Sequence, residues 1–215
     1  MNDDRPAGGA YAPPSGLPRV LHLDPALLVI DKPSGLLSVP GRGLPDCAVS
    51  RCQTLAPGCV AVHRLDRDTS GVMVLARTRE ALRHLGLQFE RRRVRKRYRA
   101  VVAGEPVGDR GVIDAPLMAD WPNRPRQMIH PDGRPARTRW VVTAREGGRT
   151  RLVLFPVTGR SHQLRVHLAN LGNPILGDPL YGDGEGPRMM LHAERLRLRH
   201  PDGGRWLTFE APCPF

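Results

Sequence analysis

Two stretches of the chain hold most of the side chains able to do chemistry. His63-Arg64-Leu65-Asp66-Arg67-Asp68-Thr69-Ser70-Gly71 brings together one imidazole, two guanidiniums, two carboxylates and two hydroxyls. A turn by itself would need only the Asp, Ser and Gly. Asp66 therefore has two readings. It is a solvated carboxylate paired with an arginine, or it is a nucleophile or acid–base group with Arg64 and Arg67 holding an anionic substrate. In the second stretch, Thr158-Gly159-Arg160-Ser161-His162-Gln163-Leu164-Arg165-Val166-His167, Arg160 falls just ahead of a helical pattern, where anions are favoured. His162 and His167 are five apart rather than the i, i+4 of a helical zinc pair, so no metal is expected there.

The first stretch lies between two apolar runs, Val60-Ala61-Val62 and Val72-Met73-Val74-Leu75-Ala76. Such runs, bounded by polar residues and Gly, read as buried strands, which makes the stretch a loop held by the core. Upstream, Leu27 to Ile30 reads as a strand and Asp31 to Gly35 as a turn, in which Lys32 either touches phosphate or is solvated. Downstream, Ala81, Leu82, Leu85 and Phe89 recur at helical spacing, which predicts a helix from Thr78, its N-cap, to about Arg92.

Tyr98 to Ala103, Val112 to Leu117, Arg137 to Thr143 and Arg151 to Phe155 read as strands, the last two joined through Glu146-Gly147-Gly148. Ser161 is placed as the cap of a helix that turns Leu164, Val166, Leu168 and Leu171 inward and ends at Gly172 and Pro174. A strand from Met189 and a terminal hairpin, Arg197 to Arg199 with Arg205 to Phe209, complete the pattern. Many hairpin-type strands with few helices point to an α+β domain on a largely antiparallel sheet. Residues 1–18, rich in Pro, Gly and Ala, read as a flexible N-terminal arm, and residues 19–215 as one domain.

The chain has 215 residues and a formal net charge of +12, which suggests a polyanionic partner, nucleic acid before an anionic membrane surface. No apolar run approaches the roughly 20 residues of a membrane span, and no apolar block marks a signal peptide, so a soluble cytoplasmic protein is expected. Arg91 to Arg99 is almost wholly basic and reads as either a solvated face or a phosphate-contacting patch. Cys47, Cys52 and Cys59 include no C-x-x-C pair and read as free thiols rather than zinc ligands. Trp121 anchors its loop by packing, the ordinary role of a loop Trp, or stacks on a base.

His63 to Gly71 resembles the HRLDxxTSG signature of the RluA-type RNA pseudouridine synthase family. Lys96-Arg97-Tyr98-Arg99-Ala100 looks like that family's KxYxA segment, Thr158 to His167 like its TGRxHQLRxH segment, and Leu191-His192-Ala193 like its third motif. Lys32 to Arg42 and Asp120 to Pro125 resemble the short, dual-specificity branch of the family. Four ordered matches are far more specific than one glycine-rich motif.

The resemblance implies the pseudouridine synthase fold, with a largely antiparallel mixed sheet and a few flanking helices. It implies isomerisation of uridine in RNA, in the tRNA anticodon arm and a stem-loop of 23S rRNA, without cofactor or metal; a monomer is expected by default. Asp66 would be the catalytic carboxylate and Arg160 its charge partner. Tyr98, which alone would read as core packing, would stack on the flipped uracil, and Leu191 would pack on the base's apolar side. Arg64 would take up space near the extruded nucleotide, and Lys96 would bind substrate. A catalytically silent RNA-binding or chaperone protein is the competing reading; the basic run fits both.

Overall fold

The computed structural model describes residues 11–215. In chain order the elements are β1 (Arg19–Leu23), β2 (Leu27–Lys32), α1 (Ala48–Cys52), β3 (Val60–Ala61), β4 (Ser70–Ala76) and α2 (Arg79–Glu90). There follow β5 (Arg95–Ala103), β6 (Arg110–Asp114), β7 (Leu117–Ala119), β8 (Gln127–Ile129), β9 (Arg137–Glu146) and β10 (Arg149–Pro156). Last come α3 (Gln163–Asn170), β11 (Leu191–Arg199) and β12 (Trp206–Glu210). The chain forms two compact units. The terminal unit runs to Lys96 and resumes at Ala193–Pro214; the central unit is Arg97–His192 with Phe215. The chain crosses from one to the other within β5 and returns within β11.

In the terminal unit the strand order is β1-β2-β4-β11, with β12 beside β11 and β3 beside β4. β1 with β2, β2 with β4, β3 with β4 and β11 with β12 all pair antiparallel. The uninterrupted apolar run of β4 is buried at every residue, as a strand covered on both faces requires. Val72, Val74 and Ala76 join Leu27 and Val29, Leu196 and Leu198, and Ala81 and Leu85 of α2 in one core.

α2 begins where the spacing predicts, with Thr78 Oγ1 accepting the Ala81 N–H at 3.1 Å. Its inward face differs from the prediction. Leu82 is exposed and Gln88 is buried, because the Gln88 amide donates to the Arg199 carbonyl and accepts from the Arg199 N–H, both at 2.8 Å. At its end the Arg92 N–H reaches the Phe89 carbonyl and the Arg93 N–H the Gln88 carbonyl, a Schellman closure. That closure puts Arg92 at φ 55°, where Gly is usual. α1 lies in the cysteine-bearing loop, where no pattern predicts an element; Cys47 caps it, its thiol accepting the Ser50 N–H.

Of the expected N-terminal arm, residues 1–10 lie outside the described residues. Beyond them, Tyr11 donates its hydroxyl to the Asp46 carbonyl and accepts the Leu37 N–H, and Arg51 donates to the Pro14 and Gly16 carbonyls.

In the central unit the order is β5-β10-β9-β6, again antiparallel throughout. Gly147 and Gly148, both at positive φ, close the β9–β10 hairpin. α3 packs Leu164 and Leu168 onto Ala100, Val102, Leu152 and Leu154. The segment read as one strand from Val112 to Leu117 is broken at Ala115-Pro116, and β7 pairs instead with the short β8. The predicted cap of α3 is corrected. His162, at φ 53°, is the N-cap, and no side chain caps the helix. Leu171 faces solvent, whereas Gln163, Arg165 and His167 are buried. Each of the three meets a polar partner from outside the helix, which no helical periodicity could reveal.

Candidate active site

In the terminal unit, the Asp66 loop is fastened along its backbone by the last residue of β2 and the segment that follows it. Lys32 is fully buried, and its ammonium donates to the carbonyls of Pro33, Leu36 and Arg67 at 2.9, 2.7 and 2.9 Å. The Gly35 N–H donates to the same Arg67 carbonyl at 3.0 Å. Ser34 Oγ donates to the Asp68 carbonyl at 2.7 Å. Ser38 Oγ donates to the Leu65 carbonyl at 2.6 Å and accepts the Leu65 N–H at 3.0 Å. Inside the loop the Thr69 N–H closes a turn on the Asp66 carbonyl at 3.1 Å. Both neighbours of Asp66 are thus fixed to one rigid segment. Neither sequence reading of Lys32, phosphate contact or solvated turn residue, holds: it is a buried clamp, tolerable because three carbonyls take its protons.

Arg67 forms a bidentate pair with Asp68, at 2.8 and 2.9 Å, and so is tied to its neighbour rather than held out for substrate. Arg64 is exposed and Asp66 half-buried. Gly71 follows at φ +116°, and a Cβ there would meet the Ala193 carbonyl at 2.3 Å. Only glycine lets β4 approach β11 at the end of this loop.

His63 is structural. The Val74 N–H donates to its Nε2 at 3.1 Å, so Nε2 is the acceptor and the ring is neutral. The ring stacks on Phe89 with centroids 4.7 Å apart. Burial, aided by the Lys96 charge, pushes its pKa down to about 3. The unfolded chain, with an ordinary imidazole near 6.5, therefore takes up this proton first as the pH falls. The fold's advantage is whole above about pH 6.5 and shrinks from there towards about pH 3. Burial lowers the His167 pKa as well, which adds to the slope. The Asp24 contribution, with a pKa lowered to about 2 against burial by hydrogen bonds from His22 and two backbone amides, persists through that window. Urea unfolding between about pH 6.5 and 5 is expected to show a loss on the order of 1–2 kcal/mol from His63 alone, and His63→Gln should flatten the profile.

Lys96, the third site candidate of this unit beside Asp66 and Arg64, is half-buried; desolvation, with Arg92 close by, lowers its pKa to about 8. It therefore still carries its charge at neutral pH.

The central unit holds Tyr98, Arg160 and Leu191. Tyr98 on β5, opposite Leu154 on β10, packs half-buried against the core cluster that also contains Leu191. The Arg160 backbone is set by Gln163, whose amide makes four hydrogen bonds. Its Oε1 accepts from the Arg160 N–H at 3.0 Å and from the Thr158 hydroxyl at 2.6 Å. Its Nε2 donates to the Arg137 carbonyl and to Thr138 Oγ1, both at 3.0 Å. Arg160 Nε donates to the Pro135 carbonyl at 3.1 Å. His167 Nε2 donates to the Ala115 carbonyl at 3.0 Å, which leaves Nδ1 to accept from Thr138 Oγ1 at 2.9 Å.

Arg165 and Asp178 form a bidentate pair at 2.8 and 2.7 Å, 3% and 0% exposed. Asp178 also accepts the N–H groups of Leu180 and Tyr181. Gln163 thus braces the turn that carries Arg160, while Arg165 and His167 fasten α3 itself to Asp178, Thr138 and Ala115. Sequence reasoning overlooked this use, because the partners of all three lie outside the helix.

The sequence profile of the RNA pseudouridylate synthase family matches residues 26–170. The chain is 48% identical to the "Dual-specificity RNA pseudouridine synthase RluA" of Escherichia coli K12, over 91% of this chain and 93% of that protein. It is 45% identical to the protein of the same name from Pasteurella multocida, over 96% and 98%. Among solved structures, Human RNA Pseudouridylate Synthase Domain Containing 1 superposes with a TM-score of 0.79 at 27% identity, covering 95% of this chain and 87% of that one. Human RNA Pseudouridylate Synthase Domain Containing 4 superposes with a TM-score of 0.75 at 28% identity, covering 91% and 88%. The chain belongs to the RNA pseudouridine synthase family and has its α+β fold, and it is an isomerase that converts uridine in RNA to pseudouridine. Among the described residues no helix is long and apolar enough to cross a membrane.

Proposed function

We propose that this synthase has a dual range, modifying a uridine in the tRNA anticodon arm and one in a stem-loop of 23S rRNA. The observation that carries this is the 48% identity, nearly end to end, with a synthase named for dual specificity. A loop uridine is already partly unstacked, so extruding it costs less than taking one from a duplex.

In this reading residues 19–215 form the catalytic domain of a cytoplasmic monomer. Asp66 is the catalytic carboxylate, and its pinned backbone supports that role, because catalysis needs the group held at one place. Arg160 supplies the positive charge the reacting carboxylate needs. Tyr98 stacks on the uracil and Leu191 packs on the apolar side of the base. Arg64 occupies space vacated by the extruded nucleotide, and Lys96 binds substrate. The reaction breaks an N-glycosidic bond and rejoins the base through C5 with no net redox change or hydrolysis, so it calls for no cofactor.

The test is tritium release from RNA carrying 5-³H-uridine, with the anticodon arm and the ribosomal stem-loop as separate substrates. Release from both is expected. Release from one narrows the range; tight binding without release from either would favour a silent binder.

The basic run should supply part of the affinity. Arg91, Arg92 and Arg93 are exposed around the end of α2. Reversing the charge at Arg92 and Arg93 is expected to weaken RNA binding and lower the slope of log K against log salt by about 1 to 2, at roughly 0.7 for each phosphate left unneutralised. Binding titrations across salt concentrations check this; an unchanged slope would place the RNA elsewhere.

A further inference from the structure

The tip of the β7–β8 hairpin displays an aromatic ring that the fold does not bury. Trp121 is 63% exposed, against 4% for Trp140 in the core and 39% for Trp206, which lies beneath Arg197 and Arg199. An anchoring role by packing is thereby set aside. The Arg124 guanidinium instead stacks over the Trp121 ring, 3.3 Å from its centroid.

The tip is tightly built. Asp120, Asn123 and Arg126 exchange backbone hydrogen bonds at 2.9–3.1 Å, and Asn123 Nδ2 donates to both carboxylate oxygens of Asp120. Its base is fastened too: the Gln127 N–H donates to the Tyr181 hydroxyl at 2.6 Å, and that hydroxyl pairs with His162 Nδ1 at 2.8 Å. The Tyr181 N–H reaches the buried Asp178 carboxylate at 3.1 Å.

We propose that Trp121, backed by Arg124, is a stacking platform for one unpaired nucleobase of the substrate loop, a nucleotide other than the target uridine. A flat exposed indole held by a rigid tip, with a guanidinium on one face, suits a base, and such stacks tolerate any base identity. Trp and Arg together also mark protein docking sites. RNA is favoured here by the net charge of +12 and by exposed Arg124 and Arg126 at the tip, with exposed Arg134 beside Leu117 at the start of the hairpin. The platform deepens the proposed substrate range and rests on it for the choice of probes.

The experiment measures Kd, KM and kcat for wild type, Trp121→Ala and Trp121→Phe on the anticodon and ribosomal stem-loops, each also made with single abasic positions along the loop. Trp121→Ala is expected to raise Kd and KM about tenfold to a hundredfold on at least one stem-loop, the worth of one base–aromatic stack. Its kcat at saturating RNA should stay within about threefold, with Trp121→Phe recovering most of the affinity. One abasic position should cost wild type the same factor and cost Trp121→Ala nothing more.

A wild-type Kd in Trp121→Ala, a penalty indifferent to every abasic position, or a loss confined to kcat overturns the platform. So does wild-type binding to the stem-loops no tighter than to a duplex without a loop. If the Kd pattern holds while wild type releases no tritium, the platform stands and the proposed substrates fail.

Discussion

Asp66→Ala is expected to lower turnover of RNA by more than about 10³-fold in single-turnover assays, with RNA affinity changed by no more than about threefold. The separation is expected because the loop is held by other groups. Lys32 and Gly35 fix the Arg67 carbonyl, Ser34 fixes that of Asp68, and Ser38 fixes Leu65 on both sides of its peptide. The variant should therefore keep the loop, and removing a negative charge from so basic a chain should not weaken its hold on a polyanion. Binding by anisotropy beside tritium release checks both halves. Retained turnover would remove Asp66 from the mechanism; lost binding would show that its carboxylate holds the RNA instead.

Asp178→Ala is expected to destabilise the protein by about 3–5 kcal/mol, the usual consequence of leaving one member of a buried ion pair without its partner. Arg165 would keep its charge in a site only 3% exposed, and the N–H groups of Leu180 and Tyr181 would lose their acceptor. For a chain of this size the melting temperature should drop by roughly 6–20 °C. Denaturant midpoints give the free energy. The double variant Arg165→Met/Asp178→Ala should recover part of the loss, since the stranded charge is then gone. A single variant with wild-type stability would mean that water reaches Arg165. Tyr181 joins this pair to the hairpin tip, so a milder substitution, Asp178→Asn, should also raise the KM for RNA if that tip binds a base.

The parts of the fold legible in the sequence are those set by neighbours in the chain. α2 is legible because its apolar spacing and its Thr78 cap lie within a few residues of one another. The β9–β10 hairpin is legible because Gly147 and Gly148 permit the tight reversal that the flanking strands need. The motif-bearing loop is legible as a loop because two apolar runs bracket it. Where a single side chain has to be placed, the same reasoning fails. Periodicity puts Leu82 inside, and it is exposed; it leaves Gln88 outside, and Gln88 meets Arg199, over a hundred residues away.

By itself, then, the sequence determined the family, the charge that suits RNA, the main strands and helices, and the residues to test, since residue types, short spacings and periodicity are properties of the chain alone. Only the tertiary structure decided which charges are structural. Lys32 became a clamp because the fold brings it the Arg67 carbonyl from 35 residues away. Arg165 found Asp178 across 13 residues, and His167 found the Ala115 carbonyl across 52. A charged or polar side chain is buried only where its partners are delivered, and distant partners are delivered by packing, which no local pattern records.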